Sequence, residues 1–476
     1  MPEAHFYAQS AHTGDDDMKV VIVGGGEVGY EVARTLSEYK IDITVVDINE
    51  EQILKIQNEL DVKTVCGDGA RPHVLGEAGV CRGSGVDILI ACCDRDEVNI
   101  LACQIARHCG VKQVITGTRG LEFTDSNEWA KYLGINAMIS PERSVAREIH
   151  ELLAVSSAVH AAELLRGRGA VYAFHVAEDS PLAGLSLQEI RGTYTDLEAI
   201  VVYIQREDSQ DIVPGGDTVL QANDLCYVVT FKAQIWRLEE LFQKKKSKPL
   251  RRVIISGGGK IGFQVAYRLR LSDPSMDIKL IDKDRAKCEK LAKELDGVLV
   301  LCGDGADKKL LRNEGIEEAD GYVCATSSDE VNILHCVVAK TLGAHKTIAV
   351  ARRKIYEDIC DRLDVDAIVN PNIALASVIL RYVRYPSGIK SISMLGKIEA
   401  EMIEVTVSEN SAVANRKLKD LSLPRGALAA LVARDDVFVP NGFFELKPGD
   451  NVALFVESEI AQKVAELFSS PEDGHS

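Results

Sequence analysis

Val20-Val21-Ile22-Val23-Gly24-Gly25-Gly26-Glu27-Val28-Gly29 is an apolar run that breaks into a glycine loop. The same order returns in the second half as Val253-Ile254-Ile255-Ser256-Gly257-Gly258-Gly259-Lys260-Ile261-Gly262. A glycine loop between a buried strand and a helix is the signature of a dinucleotide-binding α/β unit. The first glycine permits the turn, the second lets the backbone approach a pyrophosphate, and the third lets the helix pack on the strand. The helix N-terminus then faces the phosphates.

Working outward, the two halves stay in step. Cys66-Gly67-Asp68-Gly69-Ala70 matches Cys302-Gly303-Asp304-Gly305-Ala306, and Asp96-Glu97-Val98-Asn99-Ile100-Leu101 recurs as Asp329-Glu330-Val331-Asn332-Ile333-Leu334. A repeat of this length means duplicated domains rather than a solenoid. In the first copy, strands are expected at 19–23, 43–47, 62–66, 87–92, 112–116 and 137–140, with helical spacing between them. Short apolar strands alternating with helices predict a parallel sheet covered on both faces. Ser140-Pro141 and Asn370-Pro371 each pair an N-cap residue with Pro at the first helical position, so a closing helix follows each copy.

After each closing helix the pattern turns to β. Strands are expected over 171–176, 200–204, 212–213 and 225–229, then over 403–407, 428–432, 438–439 and 452–456. The expected fold class is therefore α/β: two tandem Rossmann-like doubly wound parallel-sheet domains, each followed by a small α+β lobe. The expected division is 18–140, 141–243, 250–370 and 371–470. Exposed strand edges in the lobes suit pairing between lobes. Lys244-Lys245-Lys246-Ser247-Lys248-Pro249 reads as a solvated linker between the halves.

Composition narrows the function. The 476 residues carry a net charge of −17, which argues against wrapping nucleic acid or lying on an anionic membrane. No apolar run approaches the roughly 20 residues that span a bilayer. Residues 1–17 are polar, lack the features of a signal peptide and read as a disordered tail. The twelve cysteines, with no CxxC pair at metal-site spacing, read as buried reduced thiols. No metal site and no catalytic constellation is expected.

The second half of the fingerprint is a carboxylate at the end of the second strand. Asp47 and Asp282 stand there; each would accept hydrogen bonds from ribose hydroxyls and repel a 2′-phosphate, favouring NAD over NADP. Asp68 and Asp304 end the third strands, where a place near the adenosine and a plain turn role are both open. Cys93-Asp94 and Thr326-Ser327 end the fourth strands near the topological switch point.

These motifs, in this order and twice over, resemble the TrkA family of potassium-uptake regulators, built from RCK (KTN) domains paired with TrkA C-terminal domains. The resemblance runs from about Met18 to about Phe468. It implies a cytoplasmic subunit, peripheral at the inner face of the membrane, docked on a Trk/Ktr-type potassium-translocating membrane subunit. It also implies homo-oligomerisation, usually to a tetrameric ring, and gating of the pore by NAD(H) or ATP/ADP. Carried over by position, the phosphate loops are Gly24 to Gly29 and Gly257 to Gly262, the ribose carboxylates Asp47 and Asp282, and the fourth-strand contacts Cys93-Asp94 and Thr326-Ser327. Relatives often carry Thr-Asn where this chain has Cys93-Asp94, and a carboxylate beside phosphate is unfavourable, so the two sites are expected to differ. The alternative is an NAD-dependent oxidoreductase with duplicated Rossmann domains. It accounts for the glycine loops but needs an acid/base group that the lobes do not offer.

Overall fold

The computed structural model describes residues 18–37, 41–81, 83, 85–118, 127–206, 212–243, 250–353, 355–356, 360–372, 379, 389–395 and 400–469. Residues 1–17, the basic linker at 244–249 and, apart from Ile379, the segment after Asn372 in which the second closing helix is expected lie outside the described residues. The chain divides into two compact units, Met1–Ser140 and Pro141–Ser476.

In the first unit the Val-rich run becomes β1 (Lys19–Val23), with Val20 to Val23 all buried. The chain continues through α1 (Glu27–Ser37), β2 (Asp42–Asp47), α2 (Glu50–Glu59), β3 (Lys63–Cys66), α3 (Pro72–Glu77) and β4 (Ile88–Ala91). It ends with α4 (Asp96–Cys109), β5 (Gln113–Gly117), α5 (Asn127–Tyr132) and β6 (Ala137–Ile139). The sheet order is β3-β2-β1-β4-β5-β6, parallel throughout. Strand order reverses between β1 and β4, and the loops beyond their C-terminal ends form the ligand crevice of such sheets.

The second unit opens with α6 (Pro141–Ala154), followed by β7 (His160–Leu164), β8 (Gly169–His175), α7 (Leu187–Thr193), β9 (Ala199–Gln205), β10 (Leu225–Phe231) and α8 (Ile235–Gln243). The four strands form an antiparallel sheet in the order β7-β8-β10-β9. The second parallel sheet follows with β11 (Arg252–Ser256), α9 (Lys260–Ser272), β12 (Asp277–Asp282), α10 (Arg285–Glu294), β13 (Leu299–Cys302), α11 (Lys308–Asn313), β14 (Gly321–Cys324), α12 (Asp329–Thr341), β15 (Thr347–Val350) and β16 (Ala367–Val369). Its order, β13-β12-β11-β14-β15-β16, repeats the first. The last sheet holds β17 (Ile389–Met394), β18 (Ala400–Thr406), β19 (Ala427–Ala433), β20 (Val437–Phe438) and β21 (Asn451–Glu457), and α13 (Ala461–Phe468) closes the unit.

Two packing relations within this unit were not expected. The first closing helix, α6, lays Val145, Ile149, Leu152 and Leu153 against α9 and the second parallel sheet, where Val265, Leu269 and Val253 share its core. The two lobes meet through their sheet faces, not their edges. Tyr203, Tyr227 and Val229 of one share a core with Met402, Leu431 and Phe455 of the other. Tyr203 and Phe455 rings lie 5.6 Å apart, and Glu404 accepts from the Leu165 amide at 2.8 Å. Faces win over edges because an apolar face removes far more hydrocarbon from water than a strand edge does.

The duplication also reaches into the lobes through a pair of part-buried salt bridges. Arg206 donates from Nε and Nη2 to Asp224, and Asp224 accepts from the Gln221 amide. Arg434 does the same to Asp450, which accepts from the Lys447 amide. Both carboxylates are almost fully buried. A two-pronged Arg–Asp contact fixes a turn in one geometry.

One cysteine expectation fails. Cys324 is buried, but Cys66 and Cys302 are exposed. They end β3 and β13, the outermost strands, which neighbours cover incompletely.

Candidate nucleotide-binding sites

Three of the four glycines of each loop have separate jobs. Gly24 and Gly257 adopt φ +104° and +102°, a region side chains rarely occupy. A Cβ on Gly24 would also lie 2.7 Å from the Cys93 nitrogen, and one on Gly257 2.7 Å from the Ala325 oxygen. The third glycines, Gly29 and Gly262, sit so close to the carbonyls of Gly24 and Gly257 that a methyl group would overlap them. The middle glycines differ: a Cβ on Gly26 meets nothing within 4 Å, and one on Gly259 makes only an ordinary contact. Space beside the middle glycine is what a pyrophosphate approaching the backbone requires. Glu27 and Lys260 begin α1 and α9 directly after the loops, with Val28 and Ile261 next.

Asp47 and Asp282 stand beside these loops. Asp47 accepts from the Gly25 amide at 2.6 Å and the Asn49 amide at 2.7 Å. Asp282 accepts from the Gly258 amide at 2.8 Å and the Asp284 amide at 2.9 Å, and additionally from Lys287 Nζ at 2.7 Å. Burial opposes ionisation of Asp282, yet Lys287 and the two amides outweigh it and hold its carboxyl below the usual range.

Asp68 and Asp304 close their own turns, accepting from the Ala70 and Ala306 amides at 3.0 and 2.9 Å. In the second copy His335 joins them. Its Nδ1 lies 3.1 Å from Ser256 Oγ, and its Nε2 is 3.7 Å from Asp304 Oδ1. Burial lowers its pKa.

The repeated Asp-Glu-Val-Asn motif acquires a role that its sequence did not disclose. Asn99 is buried; it accepts from the Cys93 amide and donates to the carbonyls of Cys93 and Gly117. Asn332 repeats this, accepting from the Thr326 amide and hydroxyl and donating to Thr326 and Val350 carbonyls. One amide side chain thus ties the end of the fourth strand to the end of the fifth, and so sets where Cys93-Asp94 and Thr326-Ser327 stand. Asp329 adds a second tie, accepting from the Arg352 and Arg353 amides and from the Arg352 guanidinium. Arg352 also donates to the Ser327 carbonyl at 3.4 Å. Arg353 is taken up by Glu330 and Tyr356.

Asn332→Leu strands two carbonyls and an amide. It should lower stability by about 2–4 kcal/mol and weaken any ligand of the second crevice; urea denaturation beside ligand titration checks both effects. Unchanged stability would mean that the loop is held otherwise.

Among the described residues no helix is long and apolar enough to cross a membrane. Nor does any group of three or more His, Cys, Asp or Glu there form a metal site.

With this geometry in hand, the comparisons are specific. A model of the TrkA-N domain matches residues 20–141 and 253–371, and a model of the TrkA-C domain matches 171–243 and 402–469. A "Trk system potassium uptake protein TrkA homolog 1" of Methanosarcina mazei is 34% identical, covering 95% of this chain and 100% of its own. Among solved structures, the GsuK RCK domain aligns over 97% of this chain and 98% of its own, at TM-score 0.60 and 20% identity. The GsuK channel bound to NAD aligns over 96% of this chain and 80% of its own, at TM-score 0.60 and 19% identity.

Proposed function

The chain belongs to the TrkA family, and on that footing we propose that it is the nucleotide-responsive regulatory subunit of a Trk/Ktr-type potassium uptake system. NAD(H) or ATP/ADP, bound in crevices bounded by Gly24–Gly29 and Asp47 and by Gly257–Gly262 and Asp282, controls the membrane pore. The single observation that carries the reading is the pairing, in both copies, of an open middle glycine with a carboxylate on the adjacent strand end. The relatives named as potassium uptake proteins, and the similarly folded channel with NAD bound, agree with it.

In this reading the division at 18–140, 141–243, 250–370 and 371–470 separates two sensors, each a Rossmann-like domain and a lobe. The protein acts as a homo-oligomeric ring, tetrameric as in its family, at the inner face of the membrane through its transporter subunit, and it catalyses no reaction. A ligand shifts the ring only by as much as it prefers one ring shape over the other.

Equilibrium titration of the purified chain with NADH, NAD, ATP and ADP should give saturable binding by at least one of them. If none binds, nucleotide control is wrong. Steady turnover of NADH with a carbonyl substrate would replace it with the oxidoreductase reading. Potassium flux through the co-purified membrane subunit, with and without the binding nucleotide, then tests gating.

A further inference from the structure

Resting on the nucleotide reading above, the two crevices differ most in the charges beside the ribose carboxylate. Superposed on Asp47 and Asp282, the first copy presents Ile48, Glu50 and Gln52 where the second presents Lys283, Arg285 and Lys287. At the glycine loop Glu27 is exchanged for Lys260, and at the fourth-strand end Asp94 for Ser327. These exchanges add positive charge to the second crevice, while Asn49 to Asp284, Arg71 to Asp307 and Arg95 to Ser328 run the other way, so the net gain is concentrated on the residues that follow Asp282.

The position of Lys287 is costly in local terms. It stands in the first turn of α10, where the helix dipole disfavours a cation. The matching turn of α2 carries Glu50 and Glu51, the arrangement the dipole favours. A broken local rule beside a ligand crevice marks a residue held there for what it contacts. The contact is the Asp282 carboxylate, at 2.7 Å. Among the described residues no lysine or arginine pairs with Asp47, whose oxygens take only backbone amides.

A bare carboxylate at this point rejects a phosphate on the ribose 2′-hydroxyl, whereas a basic residue there accommodates it. We propose that Lys287 sets the selectivity of the second crevice. By pairing with Asp282 it cancels the repulsive charge and, with exposed Lys283 and Arg285 beside it, admits a 2′-phosphorylated dinucleotide of the NADPH class. The first crevice, with Asp47 unneutralised, excludes that class and takes the unphosphorylated nucleotide.

The test uses the full chain, titrated with NADH and with NADPH. NADPH should fill one class of site with affinity within about threefold of NADH, and the other class at least about tenfold more weakly. Lys287→Glu should then weaken NADPH at the permissive class at least about tenfold more than it weakens NADH there. Lys287→Gln should fall between. Far-ultraviolet circular dichroism and NADH binding certify that the variants fold. NADPH rejected at both classes, or accepted equally at both, overturns the selectivity but leaves nucleotide control intact. So does a Lys287→Glu effect that falls equally on NADH. Failure of every nucleotide to bind overturns both.

Discussion

Lys346→Met should destabilise the second unit by about 3–5 kcal/mol, the cost of stranding three buried carbonyls at about 1–3 kcal/mol each, partly relieved by relaxation. Lys346 lies just ahead of β15 and is 1% exposed. Its Nζ donates to the carbonyls of Leu152, Val155 and Ala158 at 2.6, 2.6 and 2.7 Å. The Leu152 carbonyl is in the last turn of α6, where no intrahelical donor remains. The ammonium has three N–H groups for these three carbonyls at the negative end of a helix, and the neutral amine that prevails above its lowered pKa keeps two. The same turn is held from the other side by buried Glu239 of α8, which accepts from the Ser157 amide and the hydroxyls of Ser156 and Ser157. The first lobe, the second parallel sheet and α6 are therefore joined at one point. Methionine fills the space but leaves the carbonyls unanswered.

The pH dependence has a definite sign. Burial pushes the Lys346 ammonium down to about 7, with Asp366 and Glu239 pulling the other way and Lys340 adding to the fall. The folded chain then binds fewer protons at this group than the unfolded chain between that value and the ordinary 10.5. Stability contributed by this group accordingly rises with pH across that window. Urea denaturation of the wild type and Lys346→Met between pH 7 and 10 should show the gap widening. A variant as stable as the wild type would remove the junction from the account, and a gap that narrows with pH would mean the ammonium is favoured by folding.

Much of this architecture is written locally. The runs at 19–23 and 43–47 became β1 and β2 within a residue, because Val20-Val21-Ile22-Val23 and Ile43-Thr44-Val45-Val46 are unbroken β-branched stretches, which suit a buried strand. Asp47 and Asp282 were legible because their spacing from the glycine loop is itself a geometric statement. The elements that escaped are those whose signal is tertiary. β7 reads His160-Ala161-Ala162-Glu163-Leu164, with no clean alternation, since Glu163 points into a charge network with Lys232 and Arg147. In β17 a register shift between Ile389 and Ser391 interrupts the period that would betray a strand. Lys346 looks like any lysine in a polar turn until the end of α6 and the turn after it, nearly two hundred residues earlier, supply its carbonyls. The Asn of the repeated motif was visible as a repeat, but its contacts to two loops were not. The middle glycine needed the fold too: nothing stands within 4 Å of a Cβ on Gly26, so a bulky residue there would act by filling the proposed ligand space and not by disturbing the loop.

That distinction yields the second large effect. Gly29→Ala and Gly262→Ala each place a methyl group on the carbonyl oxygen of the first loop glycine. The helix must move away from the loop, so the amides aimed at the phosphates lose their geometry. Affinity at the altered crevice should fall by about a hundredfold or more, and the altered unit should lose about 2–4 kcal/mol of stability. The other crevice should keep its affinity, since each loop packs on its own sheet. Gly26→Val and Gly259→Val separate the two causes. A Cβ meets nothing at Gly26 and only an ordinary contact at Gly259, so binding should fall as steeply while the urea midpoint stays close to that of the wild type. Titration of all four variants beside denaturation decides the matter. If Gly26→Val binds nucleotide as well as the wild type, the open space beside the middle glycine is not where the phosphates lie, and the crevice at the β1–β4 switch point loses its claim as the ligand site. If Gly29→Ala removes binding at both crevices, the sites are coupled through the assembly, and the two copies act as one sensor.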